Sequence, residues 1–315
     1  MDQVTDCAFR EMVARLSGQN PRTKTQKSSG NNFAMFTEFV SVDGLLHPDG
    51  KKRLLRDLKF TNKQRPIVAQ IWGNDPDKFL KAAKIIKKLK FDGIDINMGC
   101  PQSKEIGMGA CSALIKNPKL AQKIIKATKK GAGGLPVSVK TRIGYEKNIV
   151  KDWIKVLLKA QPAAIIVHGR TKKEMSKVPA HWDAIADAVA TRNKLKSKTL
   201  IIGNGDVISF QDGLVKAQQT GVDGIMIGRA SIGNPWVFNA NSKSPSVKEK
   251  LLAAVRHAKL FEKWYKNKRS FATIRKHLKN YVSGFEGAKE LRARLMQTKN
   301  AAETARAINN YLKPV

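Results

Sequence analysis

Seven short runs rich in apolar and β-branched residues recur through the chain: FAMFTEFV (33–40), PIVAQIW (66–72), GIDINMG (93–99), PVSVKTRI (136–143), AAIIVHG (163–169), TLIIGNG (199–205) and GIMIGR (224–229). Runs of this kind are expected of strands buried on both faces. Helical patterns lie between most of them, as in PDKFLKAAKIIKKLK (76–90), NPKLAQKIIKATKKG (117–131) and SFQDGLVKAQQTG (209–221). Each has apolar residues three and four apart, and two close on a glycine. Alternating strand and helix predicts a parallel α/β fold. An eight-stranded (β/α)8 TIM barrel needs one strand more than the seven visible. TDCAFREMVARL (5–16), with Thr5 or Asp6 as N-cap, looks like the first barrel helix without its strand. A doubly wound open sheet is the alternative, and the lack of a G-x-G-x-x-G after the first strand counts against it.

The composition changes near residue 240. KSPSVKEK (243–250) opens a purely helical region with candidate helices at 246–267, 270–283, 286–297 and 300–312. The expected organisation is a barrel over residues 1–240 and a small all-helical domain over 241–315. Residues 17–32, polar, basic and turn-rich, read as a flexible surface loop. The formal charge is +34, with lysines scattered along the chain. Such an excess points to a polyanionic partner whose counterions the lysines displace, although a lysine-rich surface alone raises the charge too. No run of about 18 apolar residues exists, so no membrane span is expected. MDQVTDCAFR has no apolar signal-peptide core. The three cysteines, Cys7, Cys100 and Cys111, form no C-x-x-C pair. Neither a disulfide framework nor a metal site is expected, and a reducing, cytoplasmic location is.

In a (β/α) barrel the active site gathers at the C-terminal ends of the strands. Taken in order, those ends carry Glu38, Gln70, Asn97 with Cys100, Lys140 with Arg142, His168 with Arg170, Asn204 with Asp206, and Gly228 with Arg229. So many polar groups at one mouth fit a filled site better than an unpaired core. The turns IIGNGD and MIGRAS follow the last two strands, where barrels commonly hold a phosphate. The same glycines also suit plain tight turns. With Lys140 they point to a phosphorylated cofactor. Cys100 sits between Gly99 and Pro101 just past a strand. A thiol held there can act as nucleophile or general acid, and proton donation is favoured because no Cys-His pair is legible. Cys7 and Cys111 read as structural.

DINMGCP, VKTRIG, IVHGRT, IIGNGDV and MIGRASIGNPWVF, in that order, resemble the dihydrouridine synthases. MDQVTDCAFR resembles that family's N-terminal signature, and TIRKHLKNYVSGFEGAKELRARL (273–295) its C-terminal helical domain. The resemblance implies a cytoplasmic FMN enzyme, re-reduced by NADPH, that reduces a uridine in tRNA to 5,6-dihydrouridine. Hydride would pass from flavin N5 to uracil C6, and Cys100 would donate the proton to C5. Gln70, Lys140 and His168 would contact the flavin. Asn204, Gly205, Asp206, Gly228 and Arg229 would cradle its phosphate. Asn97 and Arg142 look like uracil contacts. A target base would leave its stack to reach the flavin. Arg275, Lys276, His277, Lys279, Arg292 and Arg294 are candidates for the tRNA backbone, each of which also fits a solvated helix face.

The family normally opens on a strand ending Ala-Pro-Met, whose tip touches the flavin. Here Met1 stands at that methionine and the strand is absent from the sequence. Residues 17–32 lengthen the loop before the next strand and are candidates for an extra RNA contact. No metal is expected, and no interface signal argues against a monomer. Two other activities fit parts of the pattern: an FMN barrel oxidoreductase acting on a small molecule, and a catalytically impaired barrel that only binds RNA.

Overall fold

Strand residues dictate a sheet covered on both sides. In GIDINM (93–98) every residue is buried, apolar and polar alike. The structure is a computed structural model and describes residues 1, 3–17, 33–240, 244–266 and 268–313. The strands are β1 (Met35–Phe36), β2 (Val40–Ser41), β3 (Ile67–Trp72), β4 (Gly93–Met98), β5 (Val137–Arg142), β6 (Ala164–His168), β7 (Leu200–Asn204) and β8 (Gly224–Met226). They form one sheet in the order β1-β3-β4-β5-β6-β7-β8, with β2 also paired to β3. Every neighbouring pair from β2 to β8 is parallel. This is the α/β, TIM-barrel-like fold expected, followed by helices. The expected strand over 33–40 is two short pieces separated by Thr37, Glu38 and Phe39. Among the described residues no ladder joins β8 to β1.

The register decides which side chains meet. Gln70 pairs with Asp95, Asn97 with Lys140, Arg142 with His168, His168 with Asn204, and Asn204 with Met226. Partners across a parallel ladder point to the same face, so the polar strand ends form adjoining rows.

By packing, the chain divides into two compact units. One comprises Phe36–Leu58 and Pro66–Gly228 and holds nearly all of the sheet. Its helices begin at side-chain caps. The Asp75 carboxylate accepts from Asp77 N at 2.9 Å before the helix Pro76–Lys88, and Ser209 Oγ from Asp212 N at 3.0 Å before Phe210–Thr220. The helix Pro118–Ala132 ends on Gly133 at φ 52°, not on Gly131 as the spacing suggests. Gly131 lies within it for another reason: a Cβ there would come 2.2 Å from the carbonyl oxygen of Leu80. Alanine would improve the helix by about 1 kcal/mol. Separating the helices costs about 1–3 kcal/mol, the usual penalty of overpacking. Gly131→Ala should therefore lower the denaturant midpoint in an unfolding titration, and an unchanged or raised midpoint would contradict the close approach.

The other unit comprises Met1–Met35, Lys59–Arg65 and Arg229–Val315. Its first helix, Cys7–Leu16, is capped by Asp6, whose side chain accepts from Phe9 N at 2.8 Å. That helix was expected on the barrel. It falls instead with the C-terminal helices, and Arg10 helps to explain why. Its buried guanidinium donates to Gln64 Oε1 at 3.1 Å, to Thr5 O at 2.6 Å and to Lys59 O at 2.6 Å. Ala8 and Met12 enter a core with Leu251, Phe261, Leu278 and Tyr281. The C-terminal helices are Val247–Tyr265, Arg275–Tyr281, Ala288–Gln297 and Ala301–Leu312, with a 3-10 turn Phe271–Ile274 leading into the second. Ser246 and Glu249 form a capping box at the first. His277, expected to face RNA, is buried: Nε2 lies 3.1 Å from Val4 O and Nδ1 accepts from Gly233 N at 3.4 Å. Residues 18–32, most of the basic segment, lie outside the described residues.

Candidate active site

At the ends of β3, β4 and β5 a buried polar network replaces apolar core. Gln70 Nε2 donates to Asp95 Oδ2 at 2.7 Å, and Ser138 Oγ to Asp95 Oδ1 at 2.6 Å. Burial pushes the Asp95 carboxyl up to about 6, against the pull of those two bonds and of Lys140. Gln70 Oε1 accepts from Asn97 Nδ2 at 3.2 Å, and the Gln70 backbone N–H donates to Thr37 Oγ1 at 3.0 Å. Gln70 is thereby fixed in orientation. Asp95 was not singled out in the sequence, although a carboxylate inside an apolar run two residues before Asn97 signals this shared face.

Asn97 shapes the loop that carries Cys100. Its Oδ1 accepts from Gly99 N at 3.1 Å and from Cys100 N at 2.9 Å. Arg142, buried at the end of β5, clasps the same loop from the other side, with Nε donating to Gly99 O at 2.7 Å. Its Nη1 donates to Thr171 O at 2.9 Å and Met175 O at 3.1 Å. Both residues, which were expected to touch the substrate base, hold the backbone of the loop that carries the thiol. Burial lowers the Arg142 guanidinium to about 10, still charged at neutral pH. Cys100 is half-buried against Trp72, Ala110, Cys111 and Phe39. A hydrogen bond from the Cys111 thiol draws Cys100 below the ordinary thiol range, burial opposing, with help from the Gln102 backbone and Arg142. Such a thiol releases its proton more readily than a free cysteine.

Lys140 faces the same mouth by register with Asn97. Burial, reinforced by Arg142 and opposed by Asp95, lowers its amine to about 7. Among the described residues no acceptor hydrogen-bonds that amine. A half-buried amine without an acceptor is suited to an anionic or oxygen-rich ligand.

The β6 and β7 ends form a second cluster. Arg170 is 2% exposed, ion-paired to Asp206, and donates through Nε to Val178 O at 2.6 Å. Its Nη1 lies 3.1 Å from His168 Nε2. Asp206 also accepts from Ala180 N at 2.9 Å, so its carboxylate ties the segment after β6 to the turn after β7. Asn204 Nδ2 donates to Met226 O at 2.8 Å. Gly205, at φ 128°, brings backbone against His168 and Ala180: a Cβ there would stand 2.6 Å from Ala180 Cβ and 3.2 Å from His168 Cδ2. Only glycine suits that turn. Gly228 closes this unit, and Arg229, exposed, opens the 3-10 turn Arg229–Ser231 in the other. Glu38 is buried in the break between β1 and β2.

Among the described residues no cluster of three or more His, Cys, Asp or Glu side chains is placed to hold a metal ion. Among them, no helix is long and apolar enough to cross a membrane.

Parallel strands with polar side chains and a held thiol at their C-terminal ends define the site of a (β/α)-barrel enzyme. A solved structure of 2-naphthoyl-CoA reductase shares the fold at TM-score 0.52 and 10% identity, over 75% of this chain and 46% of that one. The family model described as dihydrouridine synthase matches residues 1–314, and the chain belongs to that family. A probable tRNA-dihydrouridine synthase of Staphylococcus aureus (strain MRSA252) is 40% identical over 313 residues, covering 99% of this chain and 91% of the relative. A probable tRNA-dihydrouridine synthase 2 of Bacillus subtilis (strain 168) is also 40% identical, covering 99% and 92%.

Proposed function

We propose that the protein is an FMN-dependent tRNA-dihydrouridine synthase, using NADPH as reductant and acting in the cytoplasm. The observation that carries this is Cys100, fixed by Asn97 and Arg142 at the end of β4 in a member of the dihydrouridine synthase family. When bound, reduced FMN supplies the hydride for uracil C6. The protein's own part is proton delivery: Cys100 gives its proton to C5, and Cys111 and Arg142 stabilise the thiolate left behind. Gln70, Lys140 and His168 would hold the flavin ring and ribityl chain, and Asn204, Gly205, Asp206, Gly228 and Arg229 its phosphate end. Asp206 serves that turn through Arg170 and Ala180. The site suits this cofactor because no acceptor among the described residues hydrogen-bonds the Lys140 amine.

The net charge of +34 favours a polyanionic substrate. Within residues 241–315, the proposed tRNA-binding domain, Lys279 and Arg294 are exposed and Lys276 and Arg292 partly so, which suits contact with phosphates. Arg275 is engaged with Thr298 O at 3.1 Å.

A visible spectrum of the purified protein tests the cofactor directly. Bound oxidised flavin at near-unit stoichiometry is expected, and a protein that stays colourless after incubation with FMN would overturn the assignment. The lowered Lys140 amine adds a second test. Reduced flavin would carry negative charge at its ring edge and raise that amine again, so binding of reduced FMN at pH 8 should take up a proton. Affinity should then weaken as pH rises from about 7, where the free amine begins to lose its charge. Calorimetry in buffers of different ionisation enthalpy measures the uptake, and Lys140→Met should abolish it. Equal uptake in that variant would remove Lys140 from the flavin.

A further inference from the structure

We propose that Cys100 and Cys111 are a paired oxidation site, a dithiol that a hydroperoxide converts to an intramolecular disulfide. Three observations bring the two cysteines together. Both side chains lie in one cluster with Trp72, Ala110 and Phe39. The backbone ties the segments, Ser112 N donating to Cys100 O at 3.3 Å. Cys111 is fully buried at φ 54°, a left-handed conformation that most residues avoid, and its side chain enters the cluster against which Cys100 packs.

The two thiols have opposite characters, as attacking and resolving cysteines do. Cys100 is half-buried and its proton is loosened by the Cys111 hydrogen bond, burial opposing. Cys111 is sealed from solvent, and the bond to Cys100, with burial, pushes its thiol up. Arg142 and Glu105 are the charged groups whose fields reach Cys100, and Glu105 acts on Cys111 too. Cys7 is separate, buried with its Sγ donating to Lys59 O at 3.0 Å.

The reaction balances with a hydroperoxide as oxidant. The Cys100 sulfur attacks one peroxide oxygen, the O–O bond breaks, and water (or the alcohol) leaves with the proton. Cys100 is then a sulfenic acid. The Cys111 sulfur displaces that oxygen as a second water, and the S–S bond forms. Two electrons pass from the sulfurs to the peroxide. The bond can be reversed by a dithiol, whereas an unpartnered sulfenic acid proceeds to irreversible acids. Cys111 thus guards Cys100 against permanent loss.

The effect on activity rests on the proposed role of Cys100, whereas the cross-link can be read without it. The native, flavin-loaded protein is treated with hydrogen peroxide, alkylated and digested with trypsin. Cleavage after Lys104 separates the two cysteines, so a disulfide appears as linked peptides that dithiothreitol parts. The expected result is loss of two of the three thiols and a linked Cys100–Cys111 pair lighter by two hydrogens, with Cys7 unreacted. Cys111→Ser should instead show oxygen adducts on Cys100 and no link. Cys111→Gly, which a left-handed backbone accepts, should behave likewise if the serine variant fails to fold. The inference is overturned if native Cys100 resists peroxide, if it collects oxygen equally with and without Cys111, or if linkage appears only in unfolded protein. A link that forms without loss of tRNA reduction would leave the oxidation site standing and count against Cys100 as proton donor.

Discussion

Cys100→Ala will lower uridine reduction about 10²–10⁴-fold, the usual weight of one general acid, while flavin content and NADPH oxidation stay near those of the parent protein. The split follows from position. Cys100 hangs on a loop held by Asn97 and Arg142, and none of the three bonds uses its side chain. Alanine therefore keeps the loop and removes only the proton. Lys140 and Gln70, which would hold the flavin, stand on strands whose pairing the change does not touch. Single-turnover transfer from reduced protein to tRNA isolates the step. Full transfer by the alanine variant would show that another group supplies the proton.

Asp206→Ala is the second change with a large expected effect. It leaves the 2%-exposed Arg170 guanidinium without its carboxylate. Stranding one member of a buried pair costs about 3–5 kcal/mol. The Asp206 side chain is 33% exposed, which places the loss at the lower end of that range. The damage should spread along the chain. The segment after β6 loses the acceptor for Ala180 N, and that segment presents Thr171 O and Met175 O to Arg142. Arg142 in turn holds Gly99. Stability and catalysis should therefore fall together, whereas Asp206→Asn, which keeps an acceptor, should recover part of both. Denaturant unfolding beside steady-state assays separates the two effects. An alanine variant of parental stability would mean that solvent satisfies Arg170 unaided.

The polar residues named at the ends of β3 to β7 share a face, because period-two alternation and a parallel register decide it. Asn97 and Arg142 show where that logic stops. Position brings them to the mouth, but an irregular loop also needs partners for its backbone, and these two supply them. Asp206 is similar, answering to Arg170, a residue set on a different strand end. The helix Cys7–Leu16 was legible as a helix but not by its neighbours, since an apolar stripe names no partner. Gly133 takes the left-handed turn that ends the helix while Gly131 stays helical against Leu80 O, and no local pattern records which glycine does which. Cys111 had no signal at all: its meeting with Cys100 depends on a turn taken at φ 54°.

The central claim is that this site reduces uridine in tRNA. Unmodified tRNA incubated with the protein, FMN and NADPH, then digested and weighed by mass spectrometry, tests it most directly. The account predicts a uridine that gains two hydrogens in the parent protein and far less in Cys100→Ala. Flavin-bound protein that oxidises NADPH yet leaves every uridine unchanged would contradict it.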